Sequence, residues 1–578
     1  MRKSIRWIMV VASVAVLGAA FAAIPVASAS GTTQRYIVRV RADANYNTVR
    51  ANFAKQGAKV VSDLRQVGAF VVTTKSSQAA SLAATEGVQG MALDHVETVA
   101  PPEGSTANRG KLVKHIKRTL PRAPGGTIGD PIVSKYSALV WTYGRIDARE
   151  QWANSTGAGV TVAVADTGLD YTHAELASQV TQVVDLAKED GLCTLLFGLS
   201  DQDLADENGG PEDTDWHGHG SWIGGNIGAA LDGAGINGIA PDVSLVSLKI
   251  AQWCGYAYDS TIISAFLFAA DHGIPVVSIS FGGYLDRSDP AQDLIWQIYE
   301  DTVAYAKIFG TAIVAAAGNE HAEIGEDGLV LTHGILTAPG TEELTDYYGW
   351  YEVPGGIPGV VDVSSTGNRV NYSSESCADG TWDNTNATCK FQSDAHQAPG
   401  AGLKNQLAYY SNYGSRIDFA APGGARKFNL PVWDRGGTPG FPTTVDDGIR
   451  AWQDFSITSN WATGIPCYVF TSPDGQCYSS IQGTSMATPH VSAVFALVLS
   501  VHPELSGDVD GLIDFVKGYA VPGHNTTQPS SATDTAPGDL DNIYPLDCTT
   551  GYCHLGGSAI SDDEAYGAGF LQVPQLGA

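Results

Sequence analysis

Residues 483–490 read GTSMATPH, and this octapeptide decides how the rest of the chain is interpreted. It places Ser485 where a turn meets an apolar stretch, 486–498, that predicts a buried helix. A serine at the start of a helix lies near the positive end of the helix dipole and beside unpaired backbone N–H groups. That placement suits a nucleophile whose attack generates an oxyanion, although an isolated serine there would more often only cap the helix.

Two other segments supply the partners that such a serine needs. The β-branched run 160–165 predicts a buried parallel strand that ends at Asp166, on the edge of the sheet where ligands bind in open α/β folds. His219 lies in a glycine-rich turn that opens a predicted helix of small residues. Carboxylate, imidazole and hydroxyl thus occur in the chain order Asp, His, Ser, as in subtilisin and unlike chymotrypsin or the α/β-hydrolases.

From about residue 140 to residue 573 the chain resembles the subtilisin-like serine proteases, or subtilases. The resemblance rests on seven short motifs, each weak alone, that follow one another in the family's order. They are the aspartate segment 166–170 with His173 and Leu176, the histidine segment 218–221, the specificity-pocket segment 278–283, the oxyanion segment 315–319, the signature 411–414 with 420–423, the serine segment 483–490 and the closing segment 567–569.

The resemblance and the chemistry together imply a catalytic role for each group. Ser485 would attack the scissile carbonyl, His219 would take and return the proton, and Asp166 would orient the imidazole and stabilise its charged form. The side-chain amide of Asn319 and the backbone N–H of Ser485 would hold the oxyanion. No metal or organic cofactor enters this scheme, although many members of the family bind structural calcium.

The resemblance also implies where substrate binds. Ser280, Phe281 and Gly282 would line the primary specificity pocket, and Gly255 and Tyr256 would belong to an edge strand that pairs with extended peptide by β-augmentation. Phe281 stands where the family commonly has an aliphatic residue, which would alter the pocket wall.

Three histidines near these motifs receive no catalytic role. His173 and His490 match structural positions of the family, and His217 is expected to be a loop residue near the cleft, because only His219 has the following Gly-Ser turn. Trp222 replaces a second, structural histidine of the family, so altered packing is expected there and not lost chemistry.

Alternating apolar strand-like and helical runs predict an α/β fold with a mostly parallel sheet flanked by helices. Four parts are expected: a signal peptide at 1–29, a small α+β, ferredoxin-like unit at 30–100, a linker with a maturation site at 101–135, and a catalytic domain at 136–578. In the family, such an N-terminal unit is a propeptide that acts as chaperone and inhibitor. Since the chain ends soon after Gly569, no further domain is expected.

The N-terminus predicts export. A basic start, an apolar run from residue 7 to residue 23 and small residues at 27–29 are typical of a secretory signal peptide. A membrane anchor is the alternative, but Pro25 and the small residues follow the apolar run directly. We therefore expect a secreted, extracellular monomer with no membrane contact after signal removal. Its partners would be protein or peptide substrates and its own propeptide.

Charge divides the chain unevenly. Residues 1–135 hold 18 Lys+Arg and 7 Asp+Glu, which leaves 15 basic and 54 acidic residues in 136–578. The acidic balance argues against nucleic acid as a partner. The scarcity of Lys and Arg suggests either adaptation to acidic surroundings or protection from self-cleavage at basic residues. The basic pair 117–118 in the linker is a candidate maturation site.

Eight cysteines in an exported chain indicate disulfides, and about 105 pairings are possible. Pairing between neighbours is the simplest hypothesis: 193–254, 377–389, 467–477 and 548–553. The acidic stretch 201–215 has oxygen ligands that suit calcium, but a solvated acidic loop is the preferred interpretation and no metal ligand is assigned.

Two alternatives to a serine endopeptidase remain. A catalytically inactive subtilase fold used as a binding module would not need intact Asp166, His219, Asn319 and Ser485 together. A sedolisin-type acid peptidase would suit the acidic charge, but that family has a glutamate where this chain has His219 and an aspartate for the oxyanion.

Overall fold

The computed structural model describes a small N-terminal unit and a large unit that packs against it. The described residues are 32–98, 142–188, 191–233, 235–332, 347–367, 382–383, 388–389, 405–408, 410–424, 457–465, 470–471, 475–525 and 560–577. The predicted signal peptide, the linker 101–135 and four of the cysteines (Cys377, Cys467, Cys548 and Cys553) lie outside these ranges.

The N-terminal unit is a four-stranded antiparallel sheet covered on one face by its own two helices. Its order in space is β2-β3-β1-β4. The elements are β1 (Thr33–Val40), α1 (Tyr46–Lys55), β2 (Lys59–Leu64), β3 (Ala69–Lys75), α2 (Ser76–Ala83) and β4 (Val88–Leu93), followed by a separate short strand, β5 (Val96–Thr98). The order of the first six of these elements along the chain is βαββαβ.

The centre of the large unit is a parallel sheet of seven strands in the order β17-β14-β12-β10-β6-β8-β7. The predicted α/β fold is therefore confirmed. Its strands, in chain order, are β6 (Thr161–Asp166), β7 (Val180–Asp185), β8 (Ser244–Lys249), β10 (Val276–Ile279), β12 (Ala312–Ala316), β14 (Val361–Thr366) and β17 (Phe419–Pro422).

Helices lie on both faces of this sheet. One of them, α9 (Thr484–Val501), runs through the core, and 89% of its residues are buried. It is also the one described helix that is long and apolar enough to cross a membrane by composition alone. The helices of the large unit are α3 (Ala148–Gln151), α4 (Leu192–Phe197), α5 (Asp201–Asn208), α6 (His219–Gly228), α7 (Asp259–Asp271), α8 (Pro290–Ile308), α9 (Thr484–Val501), α10 (Val509–Lys517) and α11 (Asp562–Tyr566).

Short antiparallel strands surround the central sheet. They are β9 (Tyr256–Tyr258), which pairs with β5; β11 (Gly283–Leu285) with β13 (Tyr351–Val353); β15 (Trp382–Asp383) with β16 (Thr388–Cys389); and β18 (Ile457–Trp461) with β20 (Cys477–Ile481), which also pairs with β19 (Phe470–Thr471).

The free face of the N-terminal sheet packs against two helices of the large unit, α7 and α8. Ile37, Val71 and Ala92 of the sheet share one apolar core with Phe266 and Leu294 of these helices. The interface is continuous with the protein interior, so the N-terminal unit is held by hydrophobic burial as well as by polar contacts.

One predicted disulfide lies within the described residues. Cys193 in α4 pairs with Cys254, which precedes β9, as neighbour pairing predicts. Cys477 is also disulfide-bonded. The remaining pairings stay predictions.

Candidate active site

Asp166 and His219 meet at the carboxyl edge of the central sheet. Asp166 is the last residue of β6, and His219 is the first residue of α6. Nδ1 of His219 lies 2.8 Å from Oδ1 and 3.0 Å from Oδ2 of Asp166, with both side chains buried. Since a carboxylate only accepts, Nδ1 carries the proton, and Nε2 is left as the basic nitrogen. Among the described residues, Nε2 has no hydrogen-bond partner.

A close approach of two backbones brings these residues together. A Cβ at Gly220 would lie 2.1 Å from the carbonyl oxygen of Gly168 and 3.1 Å from Oδ1 of Asp166. Only glycine fits there, so the turn after β6 packs directly on the start of α6. The glycine after the histidine therefore serves the geometry of the Asp-His pair.

Ser485 is the second residue of α9, and the turn before it contains Gly483 with φ 151°, a conformation that side chains rarely adopt. Its Oγ lies 3.4 Å from the carbonyl oxygen of Ser280, and Oγ of Ser280 donates to the carbonyl oxygen of Ser485 at 3.0 Å. Phe281, the next residue, makes an edge-to-face contact with the His219 ring, with 6.4 Å between centroids. The 280–281 segment thus contacts both the serine and the histidine.

Asn319 follows β12 and is tied to the serine turn. Its Oδ1 accepts hydrogen bonds from the backbone N–H of Thr484 at 2.9 Å and from the Thr484 hydroxyl at 3.0 Å. Because a backbone N–H only donates, these contacts identify the oxygen of the amide, and Nδ2 is the end left to donate elsewhere.

The predicted substrate-binding segments flank a strand of the chain itself. Thr98 of β5 pairs with Tyr256 of β9 in an antiparallel register, and its hydroxyl donates to the carbonyl oxygen of Gly255 at 3.4 Å. On its other side Thr98 forms an antiparallel bridge with Gly282. An extended segment therefore lies between the predicted edge strand and the predicted specificity segment.

Two buried charged residues beside the Asp-His pair, Asp215 and Lys249, are not indicated by the short sequence motifs. Asp215 is buried and accepts hydrogen bonds from the backbone N–H groups of His217 (2.9 Å), Gly218 (2.7 Å) and Ser221 (2.8 Å) and from the hydroxyls of Thr167 and Ser221. It holds the loop that carries His219. The sequence gives a partial indication of this contact, because Asp215 lies only four residues before His219.

Lys249 ends β8 and is fully buried beside the same loops. Its Nζ donates to the carbonyl oxygens of Thr167 (2.6 Å) and Thr214 (3.0 Å) and pairs with Asp201 at 2.8 Å. Burial lowers the pKa of Lys249, but the nearby carboxylates of Asp201 and Asp215 outweigh it and raise the pKa overall. A lone lysine within the apolar run 245–250 was the sequence signal.

Asn412 braces the loop that carries Asn319. Its Nδ2 donates to the carbonyl oxygen of Ala317 at 2.6 Å and to the hydroxyl of Tyr284 at 2.8 Å, while its Oδ1 accepts from the backbone N–H groups of Glu320 and Ala322. Asn412 belongs to the motif at 411–414, but the motif alone does not indicate this bracing role.

The three other histidines have separate positions. His173 is buried, and its Nε2 contacts the carbonyl oxygen of Cys477 at 3.1 Å. His490 is buried in α9, with Nδ1 2.8 Å from the carbonyl oxygen of Met486, and burial lowers its pKa to about 4. His217 lies beside His219, with 6.2 Å between ring centroids. Trp222 is fully buried and donates to the carbonyl oxygen of Ser479 at 3.1 Å.

The interpretation of 201–215 as a solvated acidic loop is wrong in two respects. Residues Asp201–Asn208 form α5, started by a capping box between Ser200 and Asp203. Asp201 and Asp215 are buried and accept protein donors. The buried positive charge of Lys249 explains why these two carboxylates leave solvent.

Known proteins of one family are similar to this chain in sequence. A sequence model of the Subtilase family matches residues 157–521. Thermitase of Thermoactinomyces vulgaris is 25% identical over 357 residues, which cover 62% of this chain and 80% of thermitase. Fervidolysin of Fervidobacterium pennivorans is 23% identical over 454 residues, 77% of this chain, and the chain spans 50% of fervidolysin's length.

A solved structure agrees in fold. The epidermin leader peptide processing serine protease of Staphylococcus aureus aligns with 94% of this chain and 97% of its own, with a TM-score of 0.57 and 17% sequence identity. At that identity, the likeness shows the architecture alone.

Proposed function

Because this chain belongs to the subtilase family of serine peptidases, we propose that it is a secreted endopeptidase that cleaves peptide bonds through Asp166, His219 and Ser485. The observation that carries the proposal is the two-oxygen contact between Asp166 and Nδ1 of His219, which leaves Nε2 as a base without a partner among the described residues. Ser485, at the start of a buried helix, is the nucleophile.

In the reaction, the Ser485 hydroxyl attacks the scissile carbonyl as its proton moves to Nε2 of His219. The developing oxyanion is held by Nδ2 of Asn319 and the backbone N–H of Ser485, and the positive end of the α9 dipole adds to this stabilisation. The imidazolium then protonates the leaving amine, and water releases the acyl group from Ser485 by the reverse sequence. Asp166 keeps the imidazole in the required tautomer throughout.

Extended substrate would bind by adding a strand between β9 and Gly282. In the full chain Thr98 takes this position, with hydrogen bonds to both sides. The N-terminal unit, 30–100, would therefore act as an inhibitory propeptide that is removed by a cut in the linker 101–135. Export would follow from the predicted signal peptide at 1–29.

Structural calcium is the one cofactor that the family relationship suggests. Within the described ranges, the group of side chains that could converge on a metal is His95, Glu97 and Asp259. Calcium takes six to eight oxygen ligands, and a group that offers an imidazole nitrogen does not fit it. We therefore assign calcium no site and no step of the reaction.

A timed digest of an unfolded protein by the matured enzyme tests the proposal. Ser485→Ala, matured in trans so that its N-terminal unit is also removed, is the matched control. We expect fragments from the wild-type enzyme and none from the variant. If neither protein cleaves the substrate after removal of the N-terminal unit, the chain is better described as an inactive subtilase fold that binds a partner.

A further inference from the structure

Two buried carboxyl groups behind the predicted specificity pocket have no role in the mechanism above. β11 continues from the turn at 280–282 and pairs antiparallel with β13, so that Glu352 lies opposite Tyr284. A Cβ at Gly282 would lie 2.8 Å from the carbonyl oxygen of Val353. The strand that carries Glu352 therefore packs directly against the specificity turn.

The second carboxyl group approaches from β14. A Cβ at Gly355 would lie 2.5 Å from Oε1 of Glu352, 2.8 Å from Oδ1 of Asp362 and 3.2 Å from the carbonyl oxygen of Ala316. Ala316 ends β12, three residues before Asn319. Both carboxyl groups thus converge beneath the segment that carries the proposed oxyanion donor.

Three of the four oxygens of these carboxyl groups lack a hydrogen-bond partner in the described structure. Glu352 is 3% exposed and Asp362 is fully buried, and neither Oε2 of Glu352 nor either side-chain oxygen of Asp362 has a partner among the described residues. Arg416 acts electrostatically on both carboxyl groups but makes its hydrogen bonds to other partners. Its Nη1 pairs with Asp418 at 2.9 Å, and its Nη2 donates to the carbonyl oxygens of Ile357, at 3.1 Å, and Val360.

Ionisation of both carboxyl groups is unfavourable while the pocket is empty. Burial raises the pKa of Glu352 well above its usual value and that of Asp362 to about 7, although Arg416 lowers both. Glu320 adds a third carboxylate on the oxyanion side, where its Oε2 accepts from the hydroxyl of Tyr284 and the backbone N–H of Asn319. A bound cation would add to the counter-charge that Arg416 supplies only in part.

We propose that the specificity pocket accepts lysine or arginine as the substrate residue before the scissile bond, an inference that rests on the proposed peptidase function. Glu352 is the residue that determines this specificity. A long basic side chain brings a charge and several N–H donors to the end of the pocket. An apolar side chain would leave the same carboxyl groups buried and unpaired. Asp362 lies beside Glu352 and, when it is ionised, adds to the negative field.

The distribution of charge along the chain agrees with this preference. Residues 136–578 contain 15 Lys+Arg, whereas the 35-residue linker 101–135 alone contains 7. An enzyme that cuts after basic residues would find few sites in its own catalytic domain and several where maturation is proposed. A preference for basic residues therefore accounts both for the scarcity of Lys and Arg in 136–578 and for maturation in the linker, without a second protease to make the maturation cut.

The test compares kcat/KM for tetrapeptide p-nitroanilides that differ only in the last residue: Lys, Arg, Phe, Leu or Glu. The full chain is expressed and allowed to mature. We expect Lys and Arg to exceed Phe and Leu by at least about 30-fold, the typical effect of a buried charge pair. Glu352→Gln should lower the ratio of Lys to Phe by a similar factor. The matched control is Glu326→Gln, which changes an exposed glutamate and should leave the ratio of Lys to Phe cleavage unchanged.

The outcomes separate this inference from the function on which it rests. Cleavage after Phe or Leu with no preference for Lys or Arg would overturn the inference and leave the endopeptidase intact. Absence of cleavage after every residue, by folded and matured protein, would overturn the proposed function. If Glu352→Gln does not fold, the wild-type profile still decides, together with benzamidine, which should inhibit competitively only if the pocket accepts a cation.

Discussion

At Asn319, the amide oxygen is held by two donors of Thr484, so only the N–H end is left to stabilise an oxyanion. Removal of that donor should act on the transition state more than on bound substrate. We expect Asn319→Ala to lower kcat about 10²–10³-fold with little change in KM, a magnitude taken from the equivalent donor in subtilisin. Steady-state kinetics would measure it, with the exposed Asn154→Ala as control. A fall caused only by KM would contradict the assigned role.

Lys249 is the buried cation that compensates the carboxylates under the histidine loop. Lys249→Met would leave the carboxylates of Asp201 and Asp215 buried without their positive partner. The free energy of unfolding should therefore fall by about 3–5 kcal/mol. Denaturant unfolding of the Ser485→Ala background would measure the loss without self-digestion. Lys188→Met, which breaks a solvent-exposed pair with Glu212, is the matched control and should have no measurable effect. Equal effects of the two substitutions would contradict this account.

Asp362 should make stability depend on pH. Its pKa of about 7 in the folded protein lies above the unfolded value of about 4, so the folded state holds a proton that the unfolded state releases between these values. The free energy of unfolding therefore falls as pH rises through this window. Asp362→Asn should gain about 2–4 kcal/mol relative to the parent from about pH 4 to about pH 8. Thermal unfolding of both proteins in the Ser485→Ala background would measure this gain. A difference in stability between Asp362→Asn and its parent that does not change with pH would contradict the assigned titration of Asp362.

At the scale of elements, the contact between the N-terminal unit and α7 is specific as well as apolar. Asp94 accepts from the backbone N–H of Ser260 at 3.0 Å, from the Ser260 hydroxyl at 2.5 Å and from Nε of Arg35 at 2.7 Å. A carboxylate from one unit thus satisfies the first turn of a helix in the other and interacts favourably with its dipole.

Loss of this contact should release the N-terminal unit sooner. We expect Asp94→Ala to shorten the lag before the full chain becomes active by about 10-fold, the effect of roughly 1.4 kcal/mol of lost binding. The time course of peptide cleavage would measure it. Asp43→Ala changes an exposed carboxylate of the same unit and should leave the lag unchanged. An unchanged or longer lag for Asp94→Ala would show that this contact does not limit release.

The elements that local sequence pattern could predict were those with a continuous apolar run. β6, β8, β10, β12 and β14 lie within two residues of the apolar runs that predict them, which are 160–165, 243–250, 275–280, 312–317 and 359–364. β7 has no continuous apolar run because it lies at the edge of the sheet, where none of its residues is fully buried and three of the six are polar. The strand order itself depends on crossover connections and is not encoded in any one segment.

The positions of the proposed catalytic residues follow from short motifs, but the supporting contacts do not. Asp215 accepts from residues up to 48 positions away, and Asn412 contacts Tyr284 and Ala317 from more than 90 positions away. Such networks join loops that become neighbours only after the parallel sheet forms. Glu352 and Asp362 likewise converge through pairing of separate strands, so their proximity could not be inferred from sequence.

For the whole molecule, charge asymmetry should influence activation. Residues 1–135 are net basic and 136–578 are strongly acidic, so long-range attraction favours their association. Salt screens such attraction over a distance of about 10 Å at 0.1 M ionic strength. We therefore expect the lag before activation of the full chain to shorten as sodium chloride is added. A lag that lengthens with salt would indicate that apolar contacts between the sheet and α7 and α8 dominate instead.

The central claim, that Ser485 is a nucleophile activated by His219, is tested most directly by covalent labelling. The matured enzyme would be treated with a fluorophosphonate, and the modified residue would be located by peptide mass spectrometry. The account predicts an adduct on Ser485 that is formed at least about 10²-fold more slowly in a folded His219→Ala variant, because the base is missing. An adduct on another residue, or labelling of Ser485 at the same rate without His219, would contradict it.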